Sequence, residues 1–297
     1  MGAANNCLEW GFCYAAAPQK PLKQAVGRER RFVPNMKDSW ASGDSYEYYM
    51  GRWSRLVAES FIEWLSVSPG LKWLDIGCGS GALSEAIINN HEPAAITAID
   101  QSEDFVRTAK KRLGSRVHCR VGNALSLPLH NSSVNITVSG LVLNFIPEAE
   151  KALSEMKRVT DDGGTVAAYI WDYAGKMGFL THFWDAAVEI KSEALNLHES
   201  KRFPDSDAGA LKRLFEKAGF VNIETTSIEI TTHFRDFDDY WKPFLGGQGP
   251  APSFLLTLDK DTKYRLRHTL KSRLPTGPDG SISMGARAWA ARGQISK

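Results

Sequence analysis

The 297-residue sequence predicts an α/β protein built on a doubly wound sheet flanked by helices. Three observations carry that reading. A short apolar run, Leu71 to Ile76, stops on Gly77-Cys78-Gly79-Ser80-Gly81 and re-enters as a helix near Ala82. A second apolar run, Ala94 to Ile99, closes on Asp100. Further strand-like and helix-like segments then alternate as far as Arg292. A strand that ends in glycines before a helix leaves backbone N–H groups facing the turn, which favours an anionic or polar ligand group lying across it. Gly77 and Gly79 suit torsions closed to other residues, and Gly81 permits close approach. The loop is therefore a nucleotide-type site.

In chain order, residues 1 to 35 show no periodic pattern and carry Lys20, Lys23, Arg28, Arg30 and Arg31 against Glu9 and Glu29. A disordered extension is expected there, with an organelle-targeting leader as the alternative. Met1-Gly2 opens like a myristoylation signal, but Asn6 stands where Ser or Thr is needed. Leu56, Val57, Ser60, Phe61, Trp64 and Leu65 recur at helical spacing, behind an aromatic stretch from Tyr46 to Trp53. After the glycine loop, residues 82 to 90 read as a crossover helix. Ser102 caps another helix, and Arg116 to Val121 alternates as a third strand.

The fourth strand is expected at Val134 to Ser139, a helix at Glu148 to Val159 and a fifth strand at Val166 to Trp171 after the Asp161-Asp-Gly-Gly-Thr165 turn. Gly178 to Leu197 is helical with an aromatic face, followed by a helix at Ala208 to Ala218 and a sixth strand ending at Ile230. Phe234 to Leu245 is aromatic and opens a Gly-Pro loop, Gly246 to Pro252. Leu258 to Leu274 is a basic amphipathic helix, read as a solvated face. Ile282 to Arg292 ends the chain as a seventh strand, antiparallel beside the fifth.

Composition bounds the function. With 43% hydrophobic residues the chain has ample core for one large domain with insertions. A formal charge of +2 gives no electrostatic case for a nucleic-acid partner. No apolar run approaches the ~18 residues of a membrane span. Cys7, Cys13, Cys78 and Cys119 lack zinc or Cys-x-x-Cys spacing, which points to a reduced, cytoplasmic setting. No metal site is read.

Asp75-x-Gly77-x-Gly79-x-Gly81 resembles the first motif of class I S-adenosylmethionine-dependent methyltransferases. Gly122-Asn123-Ala124 with Leu127-Pro128 resembles the family's Gly-Asp-Ala…Leu-Pro stretch, and the helix, Gly163-Gly164 and strand order is typical of it. The resemblance, to the type 11, small-molecule kind, runs from Tyr46 to Arg292. It implies a Rossmann-like seven-stranded sheet with the last strand antiparallel, and one domain over residues 36–297. Lid insertions fall at about 174–200 and 234–275.

The implied cofactor is S-adenosyl-L-methionine. Its site would draw on Asp75, Gly77, Cys78 and Gly79 in the loop, and on Asp100 and Gln101 at the ribose. Asn123 and Ala124 would face the adenine, with Asn123 replacing the usual Asp. Ser139 would border the methyl group, and Tyr49, Arg52 and Trp53 would reach the methionine end from a lid. Asp172 and His182 are the candidate catalytic bases, with His233 a third. Trp171, Tyr173, Trp241 and Phe244 are candidate substrate walls around a small, partly apolar molecule. A packing role stays open for each of these aromatics.

Two alternatives remain. The loop also fits a loose dinucleotide fingerprint, so an NAD-type oxidoreductase is the runner-up. Against it, Asp75 would repel a pyrophosphate, whereas it could meet a cationic amine. The other alternative is a cyclase-like cofactor-binding protein that does not methylate.

Overall fold

The computed structural model describes residues 47–246 and 249–296. The expected N-terminal extension, Cys7, Cys13, Tyr46 and the tip of the Gly-Pro loop lie outside the described residues. The described residues belong to one compact unit.

A π-helical turn (Glu47–Gly51) leads into α1 (Arg52–Leu65), then β1 (Lys72–Ile76), α2 (Ala82–Asn90) and β2 (Ala95–Asp100). Next come α3 (Glu103–Leu113), β3 (His118–Val121), β4 (Val134–Gly140), α4 (Ala149–Val159) and β5 (Thr160–Trp171). An insertion holds α5 (Gly178–Ile190), a 3-10 segment (Ser192–Leu197) and the one-turn α6 (Glu199–Arg202). After α7 (Ala208–Lys217) and β6 (Val221–Phe234), a second insertion holds α8 (Phe237–Trp241), α9 (Pro250–Thr257) and α10 (Lys260–Arg273). β7 (Ile282–Gln294) closes the order.

The sheet runs β3-β2-β1-β4-β5-β7-β6. β1 pairs in parallel with both β2 and β4, while β7 runs antiparallel between β5 and β6. The expected reversal of the last strand beside β5 is thus observed. β5 begins earlier than expected. Thr160 already pairs with Val134, so the Asp161–Gly164 stretch is a register irregularity within the strand rather than a turn before it.

Strand alternation divides the core into two layers. Trp73, Ile136, Val138, Ala167 and Tyr169 face the layer built by α1, α2, α3 and α5. Leu74, Ile76, Val166, Ala168 and Ile170 face α4 and α7. Asp75 shares the parity of Trp73, and this places its carboxylate toward α2.

The two insertions pack against each other through aromatic rings. Phe183 and Phe244 stack at 4.4 Å, Phe179 and Phe234 at 5.5 Å, and the Tyr240 hydroxyl donates to the Phe179 carbonyl at 3.1 Å. Phe179 in turn meets Tyr49 at 5.4 Å, tying both insertions to the turn before α1. Instead of a long mobile loop, Pro250 and Pro252 sit in the first turn of α9, where proline's missing N–H costs nothing.

Candidate active site

A cleft of about 200 Å³ opens at the carboxyl ends of β1, β2, β4 and β5. β1 is the switch point of this sheet, since the chain leaves it toward β2 on one side and returns beside it as β4. In doubly wound sheets ligands bind in the crevice at such a point, outside the carboxyl ends of the strands. Its floor is the glycine loop. Gly77 has φ +68°, and a Cβ there would stand 2.6 Å from Val142 Cγ1, so only glycine fits.

The loop N–H groups differ from the sequence expectation. Gly77 and Cys78 both donate to the Ile99 carbonyl, at 2.7 and 3.0 Å, and Gly79 donates to Asp100 Oδ2 at 2.9 Å. The other Asp100 oxygen accepts from Ser102 N at 2.8 Å. These donors fasten the loop to the end of β2 instead of facing an anion. The cleft therefore has no phosphate cradle from these three groups, which removes the main support for the dinucleotide alternative. Asp100 keeps spare lone pairs toward the cleft, as each carboxylate oxygen can accept twice.

Asp75 lines the floor and is fully buried. Its Oδ2 accepts from Ser84 Oγ on α2 at 2.7 Å, while Oδ1 has no partner. Burial pushes its pKa up to about 7, against the pull of the Ser84 bond, with a further rise from the Asp100 charge. Burial likewise raises Asp100 and, with nearby carboxylates, the Cys78 thiol. A buried acceptor without a partner, beside a second carboxylate, suits a cationic ligand. The residues present thus fit S-adenosylmethionine, with Asp75 toward positive charge and Asp100 and Gln101 toward the ribose hydroxyls.

The expected site residues divide. Asp75, Gly77, Cys78, Gly79, Asp100, Gln101, Trp171 and Tyr173 line the cleft. Ser139 lies buried just short of it, its hydroxyl unpaired, while Gly140, Leu141 and Val142 form the wall. Asn123 is corrected: its Oδ1 accepts from Leu125 N at 2.9 Å in a local turn, and neither it nor Ala124 lines the cleft. The lid residues are also corrected, because the helix turns a different face inward. Met50 and Ser54, one helical turn apart, line the cleft. Trp53 packs on Phe234, and Arg52 lies over both rings and pairs with Asp239 at 3.3 Å. Tyr49 faces a smaller pocket described below.

Asp172 is corrected most plainly. Arg287 on β7 grips its Oδ2 at 2.6 and 2.7 Å, and Gly175 N donates to Oδ1 at 2.7 Å. The carboxylate closes the turn after β5 and holds β7, outside the cleft. His182 is half-buried on α5, away from the cleft, and His233 is exposed and bonded to Ser283. Trp241 and Phe244 belong to the aromatic pile of the insertions, not to the cleft wall.

Sequence reading placed the segment from Ser139 to Phe145 beside the methyl group, and Phe145 does line the cleft, but it missed Tyr169 in the ring wall and a pocket of about 20 Å³ adjoining it. That pocket shares Met50, Phe145 and Tyr173 with the cleft and adds Tyr49, Glu199 and Arg202. The one available signal was the pair Glu199 and Arg202, charges three apart inside the first insertion.

This sheet order, with an acid-and-glycine cleft at its switch point, defines the class I methyltransferase architecture. A methyltransferase-domain family profile matches residues 74–168. Demethylmenaquinone methyltransferases of Staphylococcus aureus are 29% identical over 227 residues, which is 71% of this chain and 91% of theirs. Haemonchus contortus phosphoethanolamine N-methyltransferase 2, solved with S-adenosylhomocysteine, superposes with a TM-score of 0.52 at 16% identity, covering 86% of this chain and 57% of that one. The YcgJ protein of Bacillus subtilis gives a TM-score of 0.52 at 15% identity, over 81% of this chain and 98% of that one. The chain is a class I S-adenosylmethionine-dependent methyltransferase, and within that class its core is of the type 11 kind.

Proposed function

We propose that the enzyme methylates a small, partly apolar acceptor that carries an aromatic ring with a hydroxyl group, at oxygen or at a ring carbon. One observation carries this reading: the cleft beyond the glycine loop is walled by Phe145, Tyr169, Trp171 and Tyr173, with Leu141 and Val142. Such a wall takes a planar ring by edge and face contacts and excludes water. The name of the Staphylococcus aureus relatives, demethylmenaquinone methyltransferase, supports a ring acceptor. The net charge of +2 supports a small molecule over nucleic acid. We place the active unit in residues 36–297. The free Cys78 and Cys119 support a reducing cytoplasmic setting.

The bound cofactor supplies a methyl group already activated on a cationic sulfur. What this chain contributes is placement. Asp75 and Asp100 fix the cofactor from below, and the Val142 wall closes against Gly77. The aromatic rings hold the acceptor against the donor and keep water out, and alignment of this kind supplies much of the rate. Rings also favour a cation nearby.

Calorimetry with S-adenosylmethionine, S-adenosylhomocysteine and NAD tests the cofactor, with micromolar binding expected for the first two alone. A panel of phenols, reduced naphthoquinones, amines and thiols, followed by mass spectrometry, tests the acceptor. The expected product is a methyl ether or ring-methylated form of a phenol or quinol, heavier than the acceptor by ~14 Da, the mass of an added methylene. Methylated amines or thiols with inert phenols would overturn the reading.

A further inference from the structure

A cavity of about 310 Å³ lies at the carboxyl ends of β4 and β5, on the α4 and α7 side of the sheet. No step of the methyl transfer described above uses it. Leu143, Ile146, Ile170, Leu211 and Leu214 give it apolar walls, and Phe203 closes one end. The Phe203 ring stacks on Tyr173 at 5.2 Å and meets Phe145 edge-on at 5.1 Å. Tyr173 and Phe145 line the cofactor cleft, so this ring partitions the two spaces. The partition is held from behind, where the buried Ser206 donates its hydroxyl to the Phe203 carbonyl at 2.8 Å and fixes the turn.

Asn144 stands out in the lining. It sits in the 3-10 turn Leu143–Phe145, and neither its Oδ1 nor its Nδ2 has a hydrogen-bond partner, although both atoms are buried. It lines this cavity and not the cofactor cleft. Leaving both ends of an amide unpaired and away from water is unfavourable. Asparagine in a turn ordinarily finds a backbone partner, as Asn123 does at Leu125 N. Because Asn144 has no bond to give up, its amide can turn about the last side-chain torsion toward the cavity at little cost. It then offers a donor beside an acceptor. The matching ligand group carries the same pair, as a carboxamide or lactam does, and the apolar walls take a hydrocarbon body behind it. Arg202 and Asp205, of opposite sign, are the charged residues in the lining, and Arg202 is engaged in interactions of its own and lies over Phe203 at 5.1 Å. The lining thus favours a neutral ligand over a carboxylate.

We propose that this cavity is a second small-molecule site, back to back with the cofactor cleft, in which Asn144 receives a neutral carboxamide or lactam on an apolar body. The ligand N–H donates to Oδ1 and the ligand carbonyl accepts from Nδ2, which satisfies both ends of the amide at once. Phe203 touches two rings of the cleft, so the occupant sits one ring away from the acceptor wall without entering the cleft.

The test is a ligand-observed NMR titration of the full chain with benzamide, with toluene as an apolar probe of similar shape and benzoate as a charged one. Wild type should bind benzamide and toluene, and benzoate more weakly than benzamide. Asn144→Leu keeps the side chain's size and removes the amide. Benzamide should bind it at least about tenfold more weakly, and toluene within about threefold of wild type. Its melting temperature should hold or rise, because an unpaired buried amide has gone. Saturating S-adenosylhomocysteine should shift benzamide affinity by less than about twofold, as separate uncoupled sites require. Benzamide that fails to bind wild type, binds Asn144→Leu equally well or is displaced by S-adenosylhomocysteine overturns the proposal. A lower melting temperature in Asn144→Leu overturns it too, by making the amide a structural group, and tighter binding of benzoate than of benzamide does so by making Arg202 the anchor. A second variant, Ala210→Trp, fills the cavity from a partly exposed position on α7. It should abolish binding of benzamide and toluene with S-adenosylhomocysteine affinity unchanged, and retained benzamide binding would place the site elsewhere.

Discussion

The two ends of the active site are built by different means. At the cofactor end the parts are local and mostly backbone. One strand, one turn and the next strand supply Asp75, the glycines, Ile99 and Asp100, and almost every donor in the loop has a named acceptor. At the acceptor end the parts are side chains gathered from remote stretches: Met50, Phe145 and Tyr173 come from three separate segments. The first end is fixed by covalent neighbourhood, and any chain with this sheet can keep it. The second depends on how two insertions pack, so it can be rebuilt for another acceptor without disturbing the first.

Four predictions sharpen or break this contrast. The largest concerns Asp75. An acid held near 7 when folded, but at 3.8 when unfolded, carries a proton in the native state that the unfolded chain has released. Stability should therefore fall as pH rises from about 4 to about 7, by roughly 4 kcal/mol for the full shift. Urea titrations at pH 4 and pH 8 should show most of this fall in wild type and a much smaller one in Asp75→Asn. Equal falls would mean the carboxylate is solvated and the cofactor end is not closed.

Next is Asp172→Ala, which leaves Arg287 without its partner. Removing one member of a mostly buried pair should cost about 3 kcal/mol in denaturant stability. Affinity for S-adenosylhomocysteine should stay within about twofold, since the residue lies outside the cleft. A large affinity loss with intact stability would return Asp172 to the site. Asp100→Ala should do the reverse. It leaves Gly79 N and Ser102 N without their acceptor and removes the proposed ribose contacts, so cofactor binding should weaken by about 2 kcal/mol in calorimetry. Affinity indistinguishable from wild type would remove Asp100 from the site.

The smallest effect is expected for Arg52→Ala. The half-buried guanidinium pairs with Asp239 and covers Trp53 and Phe234, contacts together worth about 1 kcal/mol of stability. A calorimetric trace for the cofactor that overlays wild type is the expected companion result. Weaker binding would show that the lid face was assigned wrongly.

The same contrast explains what could be read from sequence. The strand–glycine–helix passage at Leu71 to Ala82 is contiguous, and its torsional demands single out glycine, so the loop, Asp75 and Asp100 were legible. So was the reversed β7, whose alternation at Ile282 to Arg292 stands out. Asp172 was misread because sequence shows an acid between two aromatics but not Arg287, more than a hundred residues later, closing on it from β7. Tyr49, Arg52 and Trp53 lie within one turn of Met50, and the helical phase that turns Met50 and Ser54 inward is set by packing against Phe234 and Asp239 in another part of the chain. Asn123 matched a family position but spends its acceptor on Leu125. Trp241 and Phe244 were legible as aromatics, yet only the stacking of two insertions decides whether a ring faces a ligand or another ring.

The position of β7 has a consequence for how the molecule is made. The strand that separates β5 from β6 is the last of the seven to be synthesised, and it bonds along both of its edges. Until Ile282 to Gln294 emerge, β5 presents an open edge in the middle of the finished sheet, β6 has no neighbour, and Asp172 lacks Arg287. Unpaired edges of this kind are adhesive, and pairings over long sequence separations form slowly. A ribosome that stalls before β7 would release a chain carrying the proposed cofactor residues on a five-stranded sheet, with nothing to join β6 to it.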